Sequence, residues 1–101
     1  MKKLAAAIAV IVALLFGAGS AWADFDDGVA AYERGDYATA LKEFRPLAEQ
    51  GHVVAQFNLG VMYEFGEGVP KNNAEAIKWF RKAAEQGDRD AKKRLENLQA
   101  K

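Results

Sequence analysis

The sequence predicts an all-α fold, a short α-solenoid of helix-turn-helix repeats with a C-terminal capping helix. Three observations predict it. Apolar and small residues recur at three- and four-residue steps along most of the chain, which places them on one helical face. The chain also repeats itself. A shift of 36 residues lays ALKEFRPLAEQGHVVAQFNL (Ala40 to Leu59) over AIKWFRKAAEQGDRDAKKRL (Ala76 to Leu95), and a period of roughly 20–50 residues marks stacked supersecondary units. Between the apolar sets, glycine, proline and asparagine cluster where a chain reverses.

The first 23 residues read as an export signal, not as part of the fold. Lys2 and Lys3 give a positive start, Leu4 to Phe16 is an apolar run of 13 residues, and Ala21-Trp22-Ala23 offers small residues at the cleavage-defining positions. Thirteen helical residues span about 20 Å, whereas a membrane span needs about 20 apolar residues. No twin arginine is present, which favours the general export route. No cysteine stands near the cleavage site, which excludes a lipid anchor of the bacterial type. Cleavage after Ala23 leaves one domain, residues 24–101, in the periplasm or outside the cell. Losing Lys2 and Lys3 reduces the 14 basic residues to 12 against 14 acidic ones. A charge of about −2 gives no net pull toward nucleic acid or an anionic membrane. The chain has no cysteine, so helix packing must supply the stability that disulfides give many small exported domains.

Five helices follow. Asp26 or Asp27 is placed to cap the first, which carries Val29, Ala30 and Tyr32 and ends near Gly35. Asp36 caps the second, whose apolar side is Tyr37, Ala40, Leu41, Phe44, Leu47 and Ala48. Pro46 falls inside it, removes a backbone donor and predicts a kink or an early end. The third helix follows Gly51 with Ala55, Leu59, Met62 and Tyr63 as its core side. Gly60 sits in its middle at a cost of about 1 kcal/mol relative to alanine, which a close approach by a neighbouring helix backbone would offset. Gly66 closes this helix in a left-handed conformation. Asn72 or Asn73 caps the fourth helix, which runs to about Gln86 with Ala76, Phe80, Ala83 and Ala84 on one face. The fifth opens at Asp88 and buries only Ala91, Leu95 and Leu98. Its remaining side, with Lys92, Lys93, Arg94, Glu96 and Gln99, suits the end of a solenoid.

The window Ala55 to Gly87 carries a dozen fixed spacings: Ala55, Leu59, Gly60, Tyr63, Gly66, Gly68, Val69, Ala76, Trp79, Ala83, Ala84 and Gly87. This pattern resembles the Sel-one-like repeat, a variant of the tetratricopeptide helix-turn-helix unit. Three segments result: a first unit over 24–51, a full unit over 52–87 and a capping helix over 88–101. The first unit has a tight Gly35-Asp36 turn in place of the longer loop and Glu43 in place of Trp79, so it is closer to an ordinary tetratricopeptide unit. The resemblance implies an adaptor that works in complexes and signalling. A secreted branch of the family suggests a competing role in cell-wall or β-lactam chemistry, but that branch is cysteine-rich. Self-assembly through exposed repeat faces is a further alternative.

Catalytic groups are scarce. Ser20 lies in the leader, and after its removal Thr39 and His52 are the only threonine and histidine. A hydroxyl or thiol nucleophile with a histidine base is thus nearly out of reach. Glu64 and Glu67 read as a solvated helix end and loop rather than an acid-base pair. His52 reads as a surface or capping residue, since zinc spacing would require a second His or Cys. Asp24, Asp26 and Asp27 suit a helix N-terminus better than a cation. The loop Gly66 to Pro70 lacks the Lys-Ser or Lys-Thr of a phosphate cradle and carries Glu67 there. Trp79 could stack on a sugar or peptide, but it adjoins Phe80 and Ala83 and reads as core. No catalytic residue, cofactor or metal is expected.

The third helix carries a second apolar strip, Val54, Phe57, Val61 and Phe65, which leaves Gln56, Asn58 and Glu64 as its main polar positions. A helix apolar nearly all round is normally buried, so the strip either packs on the first and last helices or lines a groove. The resemblance implies that this helix lies on the concave side. There the four residues would take a peptide or partner helix through spaced apolar anchors. The expected function is a non-catalytic protein-interaction module of the bacterial cell envelope.

Overall fold

A computed structural model describes residues 24–100; the leader expected over 1–23 lies outside the described residues. Five helices occupy the described chain: α1 over 24–33, α2 Tyr37–Glu49, α3 Val53–Phe65, α4 Asn73–Glu85 and α5 Arg89–Gln99. No strand occurs among the described residues. Consecutive helices pack on one another, α2 on α3, α3 on α4 and α4 on α5. This is the short all-α solenoid that the repeat predicts.

Each boundary has a local cause. The Asp36 carboxylate accepts the Thr39 backbone N–H at 3.3 Å, Asn72 accepts that of Glu75 at 3.1 Å and Asp88 that of Ala91 at 3.1 Å. His52 caps α3 with a ring nitrogen, Nδ1 accepting the Ala55 N–H at 3.2 Å, while its ring stacks on Phe25 at 5.0 Å. Gly66 ends α3 at φ 69°, ψ 44°, a conformation that costs glycine nothing.

Three local expectations are corrected. Asp26 and Asp27 do not cap α1; they lie exposed inside it, because α1 already includes Phe25, whose ring packs on Phe44 at 5.9 Å. Pro46 does not end α2 early. The helix continues to Glu49, and the bond lost at Pro46 would have gone to Lys42, on the exposed side where solvent can serve that carbonyl. Gly60 makes room for a ring rather than a backbone: a Cβ at this position would stand 2.7 Å from the Phe80 ring.

The core lies in two parts. The first joins Ala31, Ala40, Phe44, Leu47, Ala48, Ala55, Leu59, Met62 and Trp79. The second joins Ala76, Phe80, Ala83, Ala91 and Leu98. Tyr63 packs against both, so α3 is the shared wall between the units. Gln56, expected among the polar positions of α3, is only 4% exposed. Its amide donates to the Ala48 carbonyl at 3.0 Å, and its own oxygen accepts from the Gln86 amide at 2.8 Å. Gln86 also donates to the Gly51 carbonyl at 3.0 Å. These bonds tie the turn between α2 and α3 to the equivalent turn between α4 and α5, and they satisfy polar groups whose burial would otherwise be costly. Among the described residues, no helix is long and apolar enough to cross a membrane.

Leu59 is fully buried in the first core. Leu59→Ala should cost about 2–5 kcal/mol, enough to unfold much of so small a domain at 37 °C. A thermal melt that moves by less than about 2 °C would show that Leu59 does not hold the two units together.

Candidate functional site

The face that α1, α3 and α5 share carries the candidate site. A depression of about 420 Å³ is lined by Val29, Tyr32 and Glu33 of α1, Phe44 of α2, Phe57, Asn58 and Val61 of α3, and Arg94 of α5. Phe57 and Val61 are half-buried and pack against the second core; the Phe57 ring meets that of Phe80 at 5.6 Å. They form part of the wall without being swallowed by the core.

The expected strip is therefore divided. Val54 is 43% and Phe65 58% exposed, and these are the exposed large hydrophobic residues of the described chain. They stand near opposite ends of α3, outside the residues that line the depression. Phe57 and Val61 lie between them and line it. At 100° per residue, Val54, Asn58, Val61 and Phe65 follow one line along the helix, with Phe57 displaced toward α5.

A second depression of about 400 Å³ adjoins the first and is lined by Phe57, Asp90, Lys93, Arg94 and Asn97. Phe57 and Arg94 belong to both. Arg94 donates to Glu64 at 3.3 Å and lies over the Phe65 ring at 5.6 Å, which fixes α5 against the far end of α3. On the other side, the Tyr32 hydroxyl donates to both Glu67 carboxylate oxygens, at 2.8 and 3.0 Å. Burial first, and then the Glu67 carboxylate, push the Tyr32 phenol up to about 12. Tyr32 thus stays a neutral donor at any ordinary pH and holds α1 to the loop after α3.

The remaining candidates have structural duties. Glu64 and Glu67 are ion-pair and hydrogen-bond partners of Arg94 and Tyr32. Trp79 is 3% exposed and its ring is flanked by the ammonium groups of Lys78 and Lys82 at 5.1 and 5.0 Å, which leaves no open face for stacking on a ligand. Gly68 has φ 76° and sits against the Tyr37 backbone, so its loop serves chain reversal. No group of three or more His, Cys, Asp or Glu stands ready to hold a metal ion among the described residues.

Sequence reasoning missed Val29, Tyr32, Glu33, Phe44, Asn58 and Arg94 as groove residues. For the α5 wall a signal existed. The 36-residue shift that aligns the units carries Val54, Phe57, Asn58 and Val61 onto Asp90, Lys93, Arg94 and Asn97, and all four of these except Arg94 line the second depression alone. The α1 wall has no such signal, because the shorter turn at Gly35 breaks the register.

Comparison with known proteins agrees with this geometry. The Sel1 repeat family model matches residues 53–88, the span from the start of α3 to the cap of α5. The chain is 38% identical over 63 residues to an exopolysaccharide production negative regulator of Rhizobium meliloti (strain 1021), covering 62% of this chain and 24% of that protein. It is 39% identical over 69 residues to an F-box protein of Arabidopsis thaliana, covering 68% of this chain and 19% of that protein. Chitin synthase regulatory factor 4 of Schizosaccharomyces pombe is 40% identical over 57 residues, covering 55% of this chain and 9% of that protein. The chain thus spans a quarter or less of the length of these relatives. What is shared is the repeat, and with residues 53–88 forming a Sel1 repeat, the chain is a Sel1-repeat protein built as a short all-α solenoid.

Proposed function

We propose that this chain is a non-catalytic interaction module, exported to the bacterial cell envelope, that binds a segment of a partner protein on the face shared by α1, α3 and α5. The observation that carries the proposal is the depression lined by Phe57 and Val61, with Val54 and Phe65 exposed near the two ends of the same helix. Large apolar side chains left in water along one line of a concave wall are the arrangement that helix-lined grooves use to hold a partner. The relatives named as regulators of exopolysaccharide production and of chitin synthase support a regulatory role through protein contacts rather than chemistry. The scarcity of nucleophiles in residues 24–101 supports the same reading.

The exposed pair separates binding from folding. Phe57 touches Phe80, so its removal would disturb the core as well as the groove. Val54→Thr combined with Phe65→Gln should leave the melting temperature within about 5 °C, since exposed positions contribute little to stability. Affinity for a partner identified by crosslinking in the cell should fall about 10- to 30-fold, the worth of one good apolar anchor. Unchanged affinity in the double variant would remove this face from the interface.

Export makes a separate prediction. The leader pattern of Lys2, Lys3, the apolar run and Ala21-Trp22-Ala23 places cleavage after Ala23. N-terminal sequencing of protein recovered from the cell envelope should begin Asp24-Phe25-Asp26. Full-length protein in the cytoplasm would overturn the proposed location.

A further inference from the structure

Across the concave face, repeat-equivalent positions change character. The α3 wall presents Phe57, Asn58 and Val61, and the α5 wall presents Lys93, Arg94 and Asn97 in their place. On the opposite side α1 contributes Glu33. Because Phe57 and Arg94 line both depressions, the two form one continuous path, and its chemistry is ordered from acid through apolar to base.

The charges along this path differ in availability. Arg94 already serves Glu64 at 3.3 Å. Lys93 is exposed and forms no ion pair within the described residues, while Asp90 is the acid that shares its depression. Glu33 is likewise exposed and without an ion pair within the described residues. Lys93 and Glu33 are thus the two groups, at opposite ends of the path, whose charges remain to be met.

We infer that the occupant of this face is an extended peptide segment that crosses α1, α3 and α5. A basic residue of the segment lies at Glu33, apolar side chains enter the depression against Phe57 and Val61, and an acidic residue lies at Lys93. The inference rests on the proposed binding role of the groove and adds the chemistry of what fills it. Packed helices stand about 10 Å apart, so the path from α1 to α5 is about 20 Å. At about 3.3 Å per residue this is six residues of extended chain. A partner helix lying along α3 would run at right angles to the charge order and would not read it.

The test uses the chain from Asp24 to Lys101 and three fluorescein-labelled octapeptides with blocked ends and the same leucine- and phenylalanine-containing centre. One carries lysine before the centre and glutamate after it, the second has these two exchanged, and the third has glutamine at both places. Anisotropy titrations at low ionic strength should show one charge order preferred over the other by about tenfold, the combined effect of two exposed attractions against two repulsions. The variant Glu33→Lys/Lys93→Glu changes only exposed side chains and should prefer the opposite order. If all three peptides bind equally, or if the exchanged variant keeps the original preference, the charge order is wrong while the groove remains a binding face. If none binds at millimolar concentration, the binding face itself is wrong, and this inference falls with it.

Discussion

The contact on which the rest of the structure depends is that of the Phe80 ring with the bare backbone at Gly60. A Cβ at Gly60 would come within 2.7 Å of two ring atoms, so α3 and α4 approach more closely than any other residue at this place would permit. Phe80 is fully buried, with no other position to adopt. The same ring supports Phe57 from below at 5.6 Å. The approach of two helices therefore sets both the second core and the height of the aromatic floor between the two depressions. A glycine in mid-helix costs about 1 kcal/mol in propensity, and the fit of the ring offsets it.

Around that contact, polar groups fix the spacing of the units. Gln56 and Gln86 bridge the two equivalent turns through buried and half-buried bonds, and Gly51 supplies the carbonyl that receives the second one. Tyr32 holds α1 to Glu67, and Arg94 holds α5 to Glu64 and Phe65. The helices that flank α3 are thus anchored at opposite ends of the groove by hydrogen bonds to residues at or just beyond its C-terminal end. With no disulfide in the chain, this lattice of small attachments and two modest cores must carry the stability of a domain whose size leaves little to spare.

Much of this architecture was legible in the residues. Asp36, Asn72 and Asp88 announced three helix starts because a short polar side chain before an apolar period has one common use, and Gly66 announced an end for the parallel reason. Asp26 and Asp27 misled because the same residue type is also tolerated on an exposed helix face, and only the packing of Phe25 on Phe44 and His52 decides between the two. Pro46 misled because the lost bond falls on the solvent side. Gln56 was invisible as a buried residue, since its burial depends on Gln86 arriving from 30 positions away. The apolar strip was read correctly as a strip, but its division into lining residues and exposed ends requires the positions of α1 and α5, which no local pattern encodes.

The close approach at Gly60 is most directly tested by a double-mutant cycle of Gly60→Ala and Phe80→Leu followed by thermal and urea unfolding. By helix propensity alone Gly60→Ala should stabilise by about 1 kcal/mol. The contact predicts the reverse: crowding against a ring that cannot move should cost about 1–3 kcal/mol and lower the melting temperature by several degrees. In the Phe80→Leu background, where the ring is gone, the same substitution should be neutral or stabilising. A rise in melting temperature for Gly60→Ala in the otherwise unaltered chain would contradict the account.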